Sequence, residues 1–246
     1  MTTAKEIVAE LKRMFPEKLR WDTTEGLVAG DTSRQVKKAI LSLEFRDNIA
    51  DTGADMLILH HPPRFGPRKS ITNPAYKRHR NSKAVIYAAH TRMDKTGFVG
   101  KAIAERLFGR IGYKVLDVTR DGTVMIRLRK RLTDGDAIRE IKKALGLRSV
   151  NAITNRHIVR CVGILGGSGF SRKHIIGAVK AGADLYISGD MSHHAAESAR
   201  FFDINFVDIG HFREQEGMRK LAGVLKAKFP GVRFEYVEQS PLWSTR

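Results

Sequence analysis

Apolar residues recur at helical spacing near the amino terminus, where Ile7, Leu11 and Met14 share one face and Pro16 follows. The pattern predicts a helix over residues 3–15. The period then changes. Short, nearly continuous apolar runs follow at GLVAG (26–30), VKKAILSLEF (36–45), DMLILHH (55–61) and AVIYAAH (84–90). Runs of this length bounded by polar residues read as buried strands, although 36–45 also admits a helix. Helical spacing returns over 97–108 through Val99, Ile103 and Leu107. YKVLDVT and TVMIRLR flank Arg120-Asp121-Gly122 and predict a hairpin, because Asp-Gly suits a tight turn. Thr133 can cap a helix running to about 145, with Gly146 just beyond it. The remainder alternates strands at 158–167, 184–190 and 204–211 with helices near 171–182, 192–201 and 217–229, and VRFEYVE closes the chain. Alternation of this kind predicts an α/β fold.

The strand ends carry the chemistry. DMLILHH finishes in His60 and His61, and Pro62 then removes a ladder donor. AVIYAAH finishes in His90 with Asp94 shortly after, and INFVDIGH in His211 with acidic residues beyond it. Carboxyl ends of strands in open α/β sheets border the ligand crevice, so residues distant in sequence can meet there. Imidazoles from three strand ends with Asp94 and a glutamate suffice for a two-metal site. Glu214 follows His211 by three residues and shares its face if a helix begins there, whereas Glu216 faces elsewhere in a regular helix.

Composition narrows the setting. The 246 residues are 42% hydrophobic and 28% charged, which fits a globular protein. No apolar stretch approaches the roughly 20 residues of a membrane span, and the amino terminus lacks a signal-peptide profile. With one cysteine there is no internal disulfide, and a cytoplasmic location is the default expectation. Lys and Arg number 44 against 26 acidic residues, a net charge of +18 that favours polyanionic partners such as nucleotides or nucleic acid. A general basic bias of the source proteome would give the same excess. Residues 62–83 form a long loop with four prolines, and Arg64, Arg68 and Lys69 make it cationic beside the strand-end histidines. Gly166-Gly167-Ser168-Gly169 precedes a helix, so Ser168 and Gly169 can offer backbone N–H groups to a phosphate or form a plain turn. Asp190 either caps the next helix or has a functional role, and Arg127, Arg129, Lys130 and Arg131 make a solvated basic edge.

Taken together, ADMLILHHPP, AAHTRMD, GILGGSG, SGDMSHH and VDIGHFREQEG resemble, in order and over nearly the whole chain, the Nif-three-like family. Its members are often called GTP cyclohydrolase 1 type 2 homologs. The resemblance implies the short form of the family, a single domain over 1–246 without an inserted domain. It implies two intertwined α/β lobes with mixed sheets, approximately 1–120 plus 205–246 and 121–204. A dinuclear site would lie in the cleft between the lobes, within a ring-shaped homohexamer. His60, His61, Asp94, His211 and a glutamate would hold two divalent ions, for which zinc, iron, manganese and nickel all suit the donors. The family's glutamate stands four residues after its histidine, where this chain has Gln215. Counting back three residues from Gly217 gives Glu214, which a one-residue deletion would explain, with Glu216 as the alternative.

Two function classes are consistent with these residues. In the first, a metal-dependent hydrolase acts on a nucleotide such as GTP, opening the ring with release of formate or cleaving a phosphoester. One ion would acidify a water and the other polarise the electrophile. His90 and His194 are the candidates for proton transfer, by position. In the second, a non-catalytic metal-binding ring engages nucleic acid or a protein through its basic surface. No base-reading motif accompanies the charge, and aromatics are sparse on the basic stretches. Metal storage or delivery is a third role.

Overall fold

The computed structural model describes residues 1–16, 25–50, 52–63 and 83–241. The chain folds as two compact units, Met1–Met93 with Met218–Arg246, and Asp94–Gly217. Along the sequence, the second is thus one continuous segment and the first is made of two.

The first unit opens with helix α1 (Ala4–Met14), where Thr3 and Glu6 form a reciprocal capping box and Ile7 and Leu11 are buried. Its sheet has five strands, in the order β1 (Gly26–Ala29), β4 (Val85–Ala88), β3 (Met56–Leu59), β2 (Lys38–Ser42) and β11 (Arg233–Tyr236). All pairings are parallel except β1 with β4. Every residue of β3 and β4 is buried, which is why these strands read as unbroken apolar runs. The ambiguous stretch 36–45 is a strand at its centre, because it lies between β3 and β11. A short helix α2 (Asp47–Ala50) precedes β3, and Phe45, Ile49, Leu57 and Leu59 share one core cluster.

Helix α3 (His90–Lys95) begins two residues after β4 and runs across the division between the units. The sequence pattern gives a strand that ends at His90; the helix is a single short turn and a half with only Arg92 and Met93 buried, too short to declare a period.

The second unit contains α4 (Phe98–Phe108), the hairpin β5 (Tyr113–Val118) and β6 (Val124–Thr133), α5 (Asp134–Leu145), β7 (Asn151–Ile153), β8 (Ile158–Ile164), α6 (Arg172–Lys180), β9 (Leu185–Ser188), α7 (His193–Phe201) and β10 (Asn205–Asp208). A 3-10 turn (His211–Glu214) then leads into α8 (Gln215–Lys228). The six-stranded sheet runs β5-β6-β8-β9-β10-β7, parallel only where β8, β9 and β10 adjoin. Phe170, Tyr186 and Phe206 form its aromatic centre, with ring centroids 5.1–5.9 Å apart. Both predicted caps of α5 are present: Thr133 accepts from the Asp136 N–H, and Gly146 turns out at φ +64°.

The units divide at 93/94 and 217/218, not at the approximate boundaries of 120/121 and 204/205 drawn from the sequence. Pairing explains the difference. The β5–β6 hairpin belongs to one sheet, so a boundary inside its turn would split a ladder, and β10 lies between β9 and β7.

Candidate metal centre

In the first unit the parallel pair β3 and β4 continues past its strands: the Ala89 N–H donates to Leu59 O at 2.9 Å and the His90 N–H to His60 O at 3.1 Å. The His60 and His61 N–H groups donate to Ser42 O and Leu43 O, so the backbone of the histidine pair is fixed on both sides. Three imidazoles converge as a result. The His60 and His61 ring centroids are 4.9 Å apart, and each lies 5.6 Å from His90. His60 is fully buried. Nδ1 of His61 stands 3.5 Å from Oε1 of Glu44, whose Oε2 accepts from both Nε and Nη2 of Arg46. The His61 ring first, then Arg46, holds the Glu44 carboxyl down to about 2 against the opposing effect of burial.

In the second unit the 3-10 turn eclipses residues three apart, which sets His211 above Glu214. Nε2 of His211 lies 3.2 Å from Oε2 of Glu214, a carboxylate only 5% exposed. The glutamate that faces His211 is therefore Glu214, as three-residue spacing predicts. Glycines admit this packing. Gly167 has φ +64°, and a Cβ there would overlap Oε1 of Glu214 and lie 2.9 Å from its Cδ. A Cβ on Gly189 would lie 2.5 Å from the His211 backbone nitrogen. The GILGGSG and SGD stretches thus serve as a backbone cradle for the His211–Glu214 turn. Asp94, four residues after His90 on α3, has its Oδ1 shielded from solvent.

Other predicted residues are placed differently. Asp190 does not cap α7; Ser192 does, accepting from the Ala195 N–H at 3.2 Å. Asp190 adopts φ +61°, and its Oδ2 meets Nδ1 of His211 at 2.6 Å. His194 does not turn inward. Its side chain is 90% exposed and pairs with Glu197, because the Ser192 cap starts α7 so that its first residues face solvent. The Gly169 N–H is not free for a phosphate either: it donates to Ser188 Oγ at 2.9 Å. Ser168 is exposed on that turn. Arg64, Arg68 and Lys69 lie outside the described residues.

Among the described residues, the first unit thus gathers His60, His61 and His90, and the second unit sets His211 against Glu214. Imidazoles and a buried, glycine-cradled carboxylate are donors of the type that suits a divalent ion. The sequence profile of Duf34/NIF3 (NGG1p interacting factor 3) matches residues 2–241. The chain belongs to this family. A Helicobacter pylori relative named GTP cyclohydrolase 1 type 2 is 24% identical over 238 residues, covering 93% of each chain. A Clostridium perfringens GTP cyclohydrolase 1 type 2 homolog is 26% identical over 206 residues, covering 77% of this chain and 78% of the relative. Among solved structures, a Staphylococcus aureus hypothetical protein superposes with a TM-score of 0.85 at 20% identity, covering 99% of both chains. A Bacillus cereus protein related to NIF3 gives 0.79 at 18% identity, covering 97% of both. Both share the fold, two mixed sheets with flanking helices, as the resemblance implies. No helix among the described residues is long and apolar enough to cross a membrane.

Proposed function

We propose that the protein is a metal-dependent nucleotide hydrolase in which His60, His61, Asp94, His211 and Glu214 hold two divalent ions. The observation that carries this reading is the convergence of the His60, His61 and His90 rings at the ends of β3 and β4. The glycine-cradled His211–Glu214 pair supports it, and so do the names of the Helicobacter and Clostridium relatives. Bound there, divalent ions supply Lewis acidity and an acidified water. The protein's own groups do the rest. His90, with Nδ1 3.2 Å from Thr91 Oγ1, is the proton-transfer residue, since His194 stands in solvent. GTP is the proposed substrate, with formate released on ring opening and phosphoester cleavage as the variant chemistry.

The test is incubation of zinc-, manganese-, iron- or nickel-loaded protein with GTP, with formate and inorganic phosphate both measured. Turnover that disappears in Asp94→Ala supports the reading, and absence of both products with every metal overturns it. Metal stoichiometry of wild type against the His60→Ala/His61→Ala double variant tests the ligand set directly.

A second reading is favoured by charge. Arg127, Arg129, Lys130 and Arg131 are all exposed along β6, in a chain of net charge +18. A ring of this protein would then bind nucleic acid without catalysis, through contacts that weaken with salt. Affinity for single- or double-stranded DNA that does not fall across a salt series excludes it. Sedimentation velocity tests the homohexamer, and fractionation of cells the cytoplasmic location.

A further inference from the structure

His211 is engaged on both ring nitrogens. Nδ1 lies 2.6 Å from Oδ2 of Asp190, and Nε2 lies 3.2 Å from Oε2 of Glu214. Asp190 reaches that ring from a backbone conformation that L residues avoid, at φ +61°. Helix capping does not explain the conformation, since Ser192 caps α7. The surrounding loop fixes it instead. Asp208, at the end of β10, accepts from the Met191 N–H at 2.9 Å through Oδ2 and from the Gly210 N–H at 2.8 Å through Oδ1. One carboxylate thereby ties the turn that carries Asp190 to the turn that leads into His211. The Gly189 N–H donates to Gly167 O at 2.9 Å, which adds the glycine cradle to the same frame. Backbone strain that persists because its surroundings over-determine it, and that ends on a candidate ligand, is strain with a use.

The first unit repeats the arrangement with different parts. Oε1 of Glu44 stands 3.5 Å from Nδ1 of His61. Arg46 grips the other oxygen of Glu44, and Gln239 pins its backbone: the Glu44 N–H donates to Gln239 Oε1 at 3.0 Å and Gln239 Nε2 donates to Glu44 O at 2.8 Å. In each unit one histidine therefore presents Nδ1 to a carboxylate that is itself anchored.

We propose that Asp190 and Glu44 are positioning residues, each accepting from Nδ1 of its histidine so that Nε2 becomes the ring's metal-binding nitrogen. The inference rests on the metal-site reading above. An Nδ1–H donated to a carboxylate fixes the tautomer, orients the ring and raises the basicity of the opposite nitrogen. Neither carboxylate needs to touch the ion.

The test uses the full chain, stripped of metal and reloaded with Co²⁺ or Zn²⁺. Dissociation constants come from chelator competition, and the visible spectrum of the Co²⁺ form reports ligand geometry. Asp190→Gly removes the acceptor and relieves the positive φ, so the metal-free melting temperature should hold or rise while affinity falls about 10- to 100-fold. Asp190→Asn, which keeps an acceptor oxygen, should lose less and return part of the Co²⁺ spectrum. Glu44→Gln should weaken binding in the same way. Wild-type affinity and spectrum in Asp190→Gly and Glu44→Gln overturn the inference while leaving the metal site standing. A fall in the metal-free melting temperature of Asp190→Gly, with metal affinity unchanged in the folded fraction, overturns it for Asp190. If wild type binds neither ion, the metal-site reading falls and the inference with it.

Discussion

Arg92 grips Glu25 twice. Its backbone N–H donates to Oε2 at 3.2 Å and its Nε to Oε1 at 3.0 Å, and the two side chains are 8% and 1% exposed. The pair joins the start of β1 to α3, the helix that carries His90 and Asp94. Removing one partner strands a buried charge, whereas replacing both with neutral groups does not. Arg92→Ala should cost about 3–5 kcal/mol in urea unfolding. Arg92→Met with Glu25→Gln should cost clearly less, and equal losses in the two variants would show that the pair is not coupled.

Glu214 and Glu216 are both buried, but the 3-10 turn brings Glu214 to His211. Glu214→Gln should therefore lower bound metal per chain, measured by plasma emission after dialysis, while Glu216→Gln retains it. The reverse result would transfer the ligand to Glu216.

Much of this arrangement was legible because burial is extreme where it matters. β3, β4 and β9 are buried at every residue, so their apolar runs could only be strands or buried helix, and their length decided for strands. The histidines just beyond β3 and β4 followed from position. β7 was not legible, since Asn151–Ile153 is three residues long with an exposed start and carries no period. The Asp190–His211 and Glu44–His61 pairs were hidden for another reason. Each joins residues on different turns, 21 positions apart in the first case, and sheet order rather than local pattern brings them together. SGDMSHH looked like a site because of its histidines, yet its aspartate is the residue that meets His211.

Asp55 gives the fold a pH dependence with a defined sign. Burial alone would raise its pKa, but N–H donation from Lys37 and Lys38 and the Arg34 guanidinium outweigh that and hold it below 3.8. A depressed folded pKa contributes stability above the unfolded value and loses it as pH falls through the folded one. Wild type should be more stable than Asp55→Asn at neutral pH, and the gap should close as pH drops below 3.8. Urea midpoints taken down the pH scale check this, and a gap that widens in acid contradicts it.

The His194 side chain is 90% exposed and, among the described residues, meets its helical neighbours Glu197 and His193. His194→Ala should alter stability by no more than about 0.5 kcal/mol. It should also leave metal content and any turnover unchanged, while His90→Gln lowers turnover with metal retained. A loss of turnover in His194→Ala would return that residue to the chemistry.

Gly167 separates the fold from the site most sharply. At φ +64° an alanine carries a backbone cost of about 1–3 kcal/mol. Its methyl would also occupy the space of the Glu214 carboxylate, 2.9 Å from Cδ, with Nε2 of His211 at 3.4 Å. Neither neighbour is the far end of a free chain. Glu214 is buried, and His211 is held from the other side by Asp190. Gly167→Ala should therefore lower the melting temperature and also lose metal beyond what the stability loss explains. Gly146→Ala is the control: it has the same sign of φ at +64°, but nothing lies within 4 Å of its added Cβ. That variant should be destabilised to a similar degree and keep its metal. If the two variants lose metal equally, the effect is general unfolding, and the glycine cradle has no particular hold on Glu214.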